Sequence, residues 1–315
     1  LTNTAALSLE RQQPSESDIH TPVLLGEVMS GIGLVSGGIY VDGTLGMGGH
    51  TAAFFAAQPD IRVVAMDWDA ESMALARKRL SMFGDRIFFV NSSFARLKEA
   101  LSELNIPEVD GILLDLGYSS YQLERSGRGF SFLRDEPLDM RMDMTGDITA
   151  ADMLNSLPHE AIEKIIHVYG EESWAKKIAK SIVEYRKLKP LTSSLELSQL
   201  IFRVIPRKFH PRRLHPATRT FQALRIAVNT ELEQLRTALE VLPDCLKNGG
   251  RLCIISFHSL EDRLVKDAFR SDRRLAPVTK KPVAPSDEES SQNVRARSAK
   301  LRIASRCQSD SSEQD

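Results

Sequence analysis

Short apolar runs alternate with stretches of helical periodicity from Gly37 to Gly117. The runs GGIYVDGT (37–44), IRVVAMD (61–67), RIFFVNSSF (86–94) and VDGILLDLG (109–117) each read as a strand. The last is apolar at nearly every position, as a central parallel strand buried on both faces should be. Between them, 51–57, 70–83 and 95–104 predict helices, and basic residues gather toward the end of the second, where they suit the helix dipole. The alternation then stops. From 124 to about 219 there are helical segments (159–168, 173–187, 194–203) and no convincing strand. It resumes with one long helix predicted over 217–246, a strand at GGRLCIISF (249–257), a helix over 259–270, and two short strands near 277–283 and 300–305.

That order predicts an α/β fold: a doubly wound, mostly parallel, Rossmann-like sheet interrupted by an inserted all-helical domain. The expected divisions are a flexible tail over 1–19, a discontinuous core over 20–124 and 220–306, a helical insertion over 125–219, and a second tail over 307–315. Ligands of such sheets sit at the carboxyl ends of the strands, near the switch in strand order.

Two turns at such strand ends hold the candidate chemistry. Asp42-Gly43-Thr44-Leu45-Gly46-Met47-Gly48-Gly49-His50 follows a strand and opens a helix. Its glycines let the backbone approach a ligand without a Cβ in the way. Asp67 lies 21 residues after Gly46, at the next strand end, where a carboxylate can accept hydrogen bonds from both ribose hydroxyls of an adenosine group. A nicotinamide dinucleotide uses the same logic. Two details favour S-adenosylmethionine: Asp42 suits a cationic amino-acid end and would repel a pyrophosphate, and the glycines are out of register with G-x-G-x-x-G. His50 sits at the expected helix start. These features predict a class I S-adenosylmethionine-dependent methyltransferase.

The fourth strand ends in Asp115-Leu116-Gly117-Tyr118. An exocyclic amine on a base is a poor nucleophile because its lone pair is delocalised. An acceptor such as Asp115 would help localise it, and Tyr118 offers a flat face on which a flipped base can stack. No metal is needed, because a sulfonium is already an activated leaving group. Ser256-Phe257-His258-Ser259-Leu260-Glu261-Asp262 holds Ser, His and Asp but no G-x-S-x-G elbow. Ser259 as a helix N-cap, with Asp262 three residues on, is the plainer reading.

Composition changes the picture in a few places. Hydrophobic residues make up 42%, enough for a sizeable core, and the net charge of −1 means that any nucleic-acid footprint must be local. Such a footprint is visible: residues 203–225 hold seven Lys/Arg and no acid, with Phe209 and Phe221 among them. Arg207, Lys208, Arg212, Arg213 and Arg219 are its candidate phosphate contacts. Residues 294–306 add five Lys/Arg and no acid. Cys245, Cys253 and Cys307 form no CxxC pair, so neither a disulfide scaffold nor a zinc site is expected, and such usage suits a reducing compartment. No run approaches the roughly 18 apolar residues of a membrane span, and the polar segment 1–18 has no secretory h-region.

HTPVLLGEV (20–28), DGTLGMGGH (42–50), DGILLDLGYSS (110–120), GRGFSF (127–132), PLDMRMD (137–143), YGEE (169–172), HPATRTFQALRIAVN (215–229), GGRLCIISFHSLEDR (249–263) and RARSAKLR (295–302) resemble, in order and spacing, the RsmH (MraW) family of 16S rRNA (cytosine-N4)-methyltransferases. The resemblance implies N4-methylation of a single cytidine, cytidine 1402, in the decoding centre of the small (30S) ribosomal subunit, in a bacterial cytoplasm or an organelle with its own ribosomes. It implies cofactor contacts from Gly48, Gly49 and His50, the ribose on Asp67, Phe94 beside the adenine, and Asp115 and Gln122 completing the pocket. Tyr118 departs from the family, which usually has a small residue there. An amino-methyltransferase for another nucleic acid, or an rRNA-binding assembly factor without catalysis, are the competing readings.

Overall fold

The computed structural model describes residues 22–211 and 214–307. Seven strands form one sheet: β1 (Ile39–Asp42), β2 (Arg62–Asp67), β3 (Ile87–Asn91), β4 (Val109–Asp115), β5 (Leu246–Ser256), β6 (Leu275–Pro277) and β7 (Lys300–Arg306). Their order is β3-β2-β1-β4-β5-β7-β6. The first five run parallel, β7 is antiparallel to β5, and β6 is antiparallel to β7. Strand order reverses between β1 and β4, so the crevice for a ligand opens at the carboxyl ends of β1, β2 and β4.

The helices are α1 (Leu25–Ile32), α2 (Gly49–Ala57), α3 (Ala70–Arg79), α4 (Leu97–Glu103), α5 (Ser120–Glu124), α6 (Ala150–Ser156), α7 (His159–Gly170), α8 (Ala175–Arg186), α9 (Ser194–Val204), α10 (Thr218–Val228), α11 (Glu231–Cys245), α12 (Ser259–Ser271) and α13 (Asp287–Gln292). Successive strand residues serve opposite layers, which explains the unbroken apolar runs. Ile112, Leu114, Leu252 and Ile254 face α4, α11 and α12, whereas Leu113, Cys253 and Ile255 join the layer of α1, α2 and α3. No helix among the described residues is long and apolar enough to cross a membrane.

A third apolar cluster belongs to the helices between β4 and β5. It corrects the expected boundary at 219. That boundary cuts into α10, yet Phe221 and Leu224 of α10 are buried in the helical cluster, and α10 packs on α7. The single long helix expected over 217–246 is in fact two. Asn229 ends α10, its Nδ2 donating to the Met140 (2.8 Å) and Arg225 (2.9 Å) carbonyls while Oδ1 accepts from the Met142 N–H (2.7 Å). Thr230 then takes a left-handed conformation (φ 47°) and redirects the chain into α11. The expected strand near 277–283 is shorter and earlier, over Leu275–Pro277, with one isolated bridge from Val283 to Leu301.

Candidate functional site

β1 delivers Asp42 to the foot of the glycine loop. Its Oδ2 accepts from the Thr51 hydroxyl (2.7 Å) and Oδ1 from the Thr44 N–H (3.3 Å). Burial pushes this carboxyl above its ordinary value, against the pull of His50, Thr51 and Thr44. Asp42 is thus a brace beneath the loop, each oxygen accepting one hydrogen bond. The turn is pinned further by the Leu45 N–H on the Met66 carbonyl (2.8 Å) and by Thr44 Oγ1, which accepts from the Asp115 N–H (2.6 Å). Gly48 opens α2 at φ 75°, and a Cβ there would sit 2.6 Å from Leu80 Cδ1. A Cβ at Gly49 would sit 2.5 Å from Pro22 Cγ. At Gly48 the positive φ, and at Gly49 the Pro22 ring, stand against any larger residue.

Asp67 stands where the sequence places it, at the end of β2. It accepts from the Gly46 N–H (2.8 Å) through Oδ2 and the Asp69 N–H (2.9 Å) through Oδ1. Burial pushes its carboxyl up to about 7, with those two donors opposing and the Asp69 and Asp42 carboxylates adding to the rise. Phe94 is buried at the head of a short 3-10 turn, its ring 6.4 Å from that of Trp68.

His50 and Asp115 close the other side of the crevice. His50 is 5% exposed, and among the described residues neither ring nitrogen has a hydrogen-bond partner. Its Nε2 lies 3.6 Å from Asp115 Oδ2, and the buried Asp115 Oδ1 is also without a partner. Three unsatisfied polar atoms at a strand-end crevice mark a place built to be completed by a ligand. Asp67, the loop and Asp115 thus come together as expected, and the residues present fit a nucleoside-bearing cofactor.

Gln122 is more constrained than the resemblance implies. Its Oε1 accepts from the Ser119 N–H (2.9 Å) in the capping box of α5, and its Nε2 donates to Asp69 Oδ2 (2.8 Å). Asp69 also holds Arg128 in a buried ion pair, and Arg128 donates to the carbonyls of Arg141 (3.0 Å) and Met142 (3.1 Å). The helical layer is thereby fastened to the β2–α3 turn that carries Asp67. Nothing in the sequence pairs Asp69 with a residue 59 positions away.

The Tyr118 ring, expected to offer a flat face to a base, is already engaged by groups of the protein itself. The Arg225 and Arg295 guanidiniums lie over its ring at 4.9 and 5.6 Å, and Phe130 stacks beside it at 6.4 Å. Arg225 in turn grips Glu231 with two 2.8 Å hydrogen bonds. The larger residue is thus absorbed by cation–π contacts with the protein itself.

The expected cap of α12 is offset by one residue. His258 is the N-cap: its Nδ1 accepts from the Glu261 N–H (3.3 Å), while Glu261 Oε2 accepts from the Phe257 N–H (2.8 Å). Ser259 instead donates to Glu171, and Asp262 binds Arg302 (2.7 Å) and Lys300 (3.1 Å). Ser259, His258 and Asp262 therefore serve three separate partners, which leaves no nucleophilic triad.

Of the candidate phosphate contacts, Arg207 and Lys208 are exposed on a 3-10 turn, with Lys208 Nζ 4.9 Å from the Phe209 ring centre. Arg219 donates to the Glu171 carbonyl (3.0 Å), just past the end of α7. Arg212 and Arg213 lie outside the described residues. The second basic run is spent largely inside the fold. Lys300 and Arg302 hold Asp262, Arg306 lies 3.4 Å from Asp244, Arg297 donates to the Ser290 carbonyl (3.0 Å), and Arg295 covers Tyr118.

The small-subunit ribosomal RNA methyltransferase H of Desulfotalea psychrophila is 48% identical over 287 residues, covering 91% of this chain and 97% of its own. The protein of the same name from Cyanothece sp. is 47% identical over 296 residues, covering 93% and 97%. Among solved structures, a putative methyltransferase from Streptococcus mutans in complex with SAH aligns at a TM-score of 0.41 and 12% identity, covering 90% of this chain and 94% of its own. The model of the MraW methylase family matches residues 17–307, and the chain belongs to that family.

Proposed function

We propose that this protein transfers a methyl group from S-adenosylmethionine to N4 of one cytidine, cytidine 1402 of 16S rRNA. The observation that carries the reading is the crevice itself. Asp67 and Asp115 end β2 and β4, the two parallel strands that flank β1 and its glycine turn, and the buried atoms His50 Nδ1, His50 Nε2 and Asp115 Oδ1 beside that turn have no hydrogen-bond partners among the described residues. The relatives are methyltransferases of small-subunit ribosomal RNA, and that supplies the substrate class.

When bound, the cofactor supplies a sulfonium-activated methyl group. Asp67 would accept the ribose hydroxyls, and Phe94 would flank the adenine. Gly48 and Gly49, at the N-terminus of α2, would lie along its amino-acid end. Asp115 Oδ1 would accept an N–H of the exocyclic amine. That bond orients the nitrogen lone pair along the line of transfer and stabilises positive charge as it develops there. His50, 3.6 Å from the same carboxylate and without a hydrogen bond to it, would complete its bonding when the site is filled. Arg207, Lys208, Arg212, Arg213 and Arg219 would track phosphates of the rRNA. The place of action follows from the substrate: the cytoplasm of a bacterium, or an organelle that holds its own small ribosomal subunits.

The test is methyl transfer from labelled S-adenosylmethionine to 30S particles from a strain lacking this gene, followed by nucleoside analysis. N4-methylated cytidine at a single rRNA position is the expected product. Transfer to DNA or another RNA, but not to 30S, would overturn the substrate. Absence of both transfer and cofactor binding would favour a non-catalytic assembly factor.

A further inference from the structure

Consecutive residues of the glycine turn are bonded to both sides of the crevice. On the β4 side, the Gly43 N–H donates to the Leu113 carbonyl (2.9 Å), and Thr44 Oγ1 accepts from the Asp115 N–H (2.6 Å). On the β2 side, the Leu45 N–H donates to the Met66 carbonyl (2.8 Å), and the Gly46 N–H to Asp67 Oδ2 (2.8 Å). The turn is therefore a bridge between the carboxylate that would hold the ribose and the carboxylate that would hold the amine.

One of these bonds departs from the regular sheet. β1 and β4 run parallel, with Asp42 opposite Leu113. In such a ladder the rungs are evenly spaced. With Gly43 donating to Leu113, the next rung would be the Asp115 N–H on the Gly43 carbonyl. β1 ends at Asp42, and the Asp115 N–H goes to the Thr44 hydroxyl instead. The two acceptors differ in what they belong to. A ladder carbonyl is fixed by the sheet, whereas the Thr44 hydroxyl moves with the turn. The Thr44 N–H donates to Asp42 Oδ1 (3.3 Å), and a β-branched side chain has little freedom at χ1, so the oxygen follows the turn closely. Resting on the methyl-transfer reading above, we propose that Thr44 is a positioning residue for the reaction: its hydroxyl aims the Asp115 carboxylate at the amine, and does so from the conformation of the turn that holds the cofactor.

The carboxylate of Asp115 needs such a handle. Its Oδ1 has no hydrogen-bond partner among the described residues, and Oδ2 lies 3.6 Å from His50. It is therefore aimed through its backbone, which is held on one side by Thr44 and on the other by β5, where the Leu116 N–H donates to the Ile255 carbonyl (3.0 Å). A displacement of about 1 Å at a reacting group can cost about 100-fold in rate, so the loss of one of the two supports is felt in the chemistry. The filled turn and the aimed carboxylate then belong to one state. A cofactor that holds the turn holds Asp115 through Thr44, and an amine bound on Asp115 favours the same turn in return.

The experiment measures single-turnover methyl transfer from labelled S-adenosylmethionine to 30S particles lacking the modification. The full chain is compared with Thr44→Val, Thr44→Ser, Asp115→Ala and the double variant Thr44→Val with Asp115→Ala. Thr44→Val keeps the shape of the side chain and removes the acceptor. It should slow transfer on the order of 10-fold, with KM for 30S and S-adenosylmethionine affinity by calorimetry unchanged. Thr44→Ser, which keeps the hydroxyl, should restore the rate. In the Asp115→Ala background, Thr44→Val should cause no further loss, because no carboxylate is left to aim. In chain isotope-labelled at aspartate nitrogen, the Asp115 amide signal, identified by its absence from Asp115→Ala, should move upfield in Thr44→Val and stay in place in Thr44→Ser. An equal loss of rate in both backgrounds, a loss matched by weaker cofactor binding, or a Thr44→Ser as slow as Thr44→Val would each overturn the proposal. If the native chain leaves 30S unmethylated and modifies another nucleic acid, the rRNA reading falls alone, and the same variants on that acceptor decide for Thr44.

Discussion

Burial of Asp67 gives the cofactor site a pH dependence that can be worked out in advance. Its carboxyl is pushed up to about 7, yet holding a ribose through both hydroxyls requires the ionised form. With that value, the ionised share rises from about 9% at pH 6 to about 91% at pH 8, so affinity should rise about tenfold, or about 1.4 kcal/mol. Adenosine is the right probe, because nothing on it titrates in this range. Trp68, beside Asp67 and 6.4 Å from Phe94, offers a fluorescence readout. Asp67→Asn should bind adenosine weakly and with no slope. The sign for stability is opposite. A raised carboxyl means that the folded chain holds more protons than the unfolded chain between about 4 and about 7. Its contribution is complete below pH 4 and lost as pH rises through 7. Asp67→Asn should therefore raise Tm at pH 8 while impairing binding. Adenosine affinity that is flat or falling between pH 6 and 8 in the native protein would refute the reasoning, as would an undiminished slope in the Asn variant.

Asp115→Ala should lower kcat for 30S methylation by at least about 100-fold, checked by single-turnover transfer; full activity would remove Asp115 from the site. Arg128→Ala removes the cation paired with the Asp69 carboxylate, whose side chain is 1% exposed. It should cost about 3–5 kcal/mol in urea unfolding, and a loss below 1 kcal/mol would contradict the reading of that pair. Thr230→Gly relieves a left-handed threonine at φ 47° and should stabilise the chain by about 1 kcal/mol, seen as a Tm a few degrees higher; a lower Tm would show that the threonine side chain matters more than its backbone.

The strands were legible because burial on both faces leaves an apolar run that stops abruptly at a charge, and those charges are Asp42, Asp67 and Asp115. The site was legible for the same reason, since a parallel sheet puts its chemistry where strands end. What stayed hidden depends on partners distant in sequence. The break at Asn229 exists because the Met140 and Met142 backbone needs that amide, and helical periodicity runs through it without a mark. The cap of α12 was missed by one residue, because a histidine nitrogen replaces the more usual hydroxyl. The second basic run looks like an RNA surface until Asp262 and Asp244 are found opposite it. The engagement of Tyr118 by two guanidiniums has no local sequence signal, since Arg225 and Arg295 lie far along the chain in different elements.

The insertion point has a consequence for synthesis. β4 and β5 are hydrogen-bonded neighbours at the centre of the sheet, yet about 130 residues separate them in the chain. At about 5–20 residues per second, a ribosome needs roughly 6–26 s to deliver the second after the first. Throughout that interval the nascent chain presents β4, apolar along most of its length, as a bare sheet edge open to other chains. The helices made meanwhile have a core of their own, so they can fold first and bring the distant ends together. The number of chains lost to aggregation should then depend on how quickly the helical layer folds, and substitutions in that layer should reduce yield in cells well before they alter the melting of the finished protein.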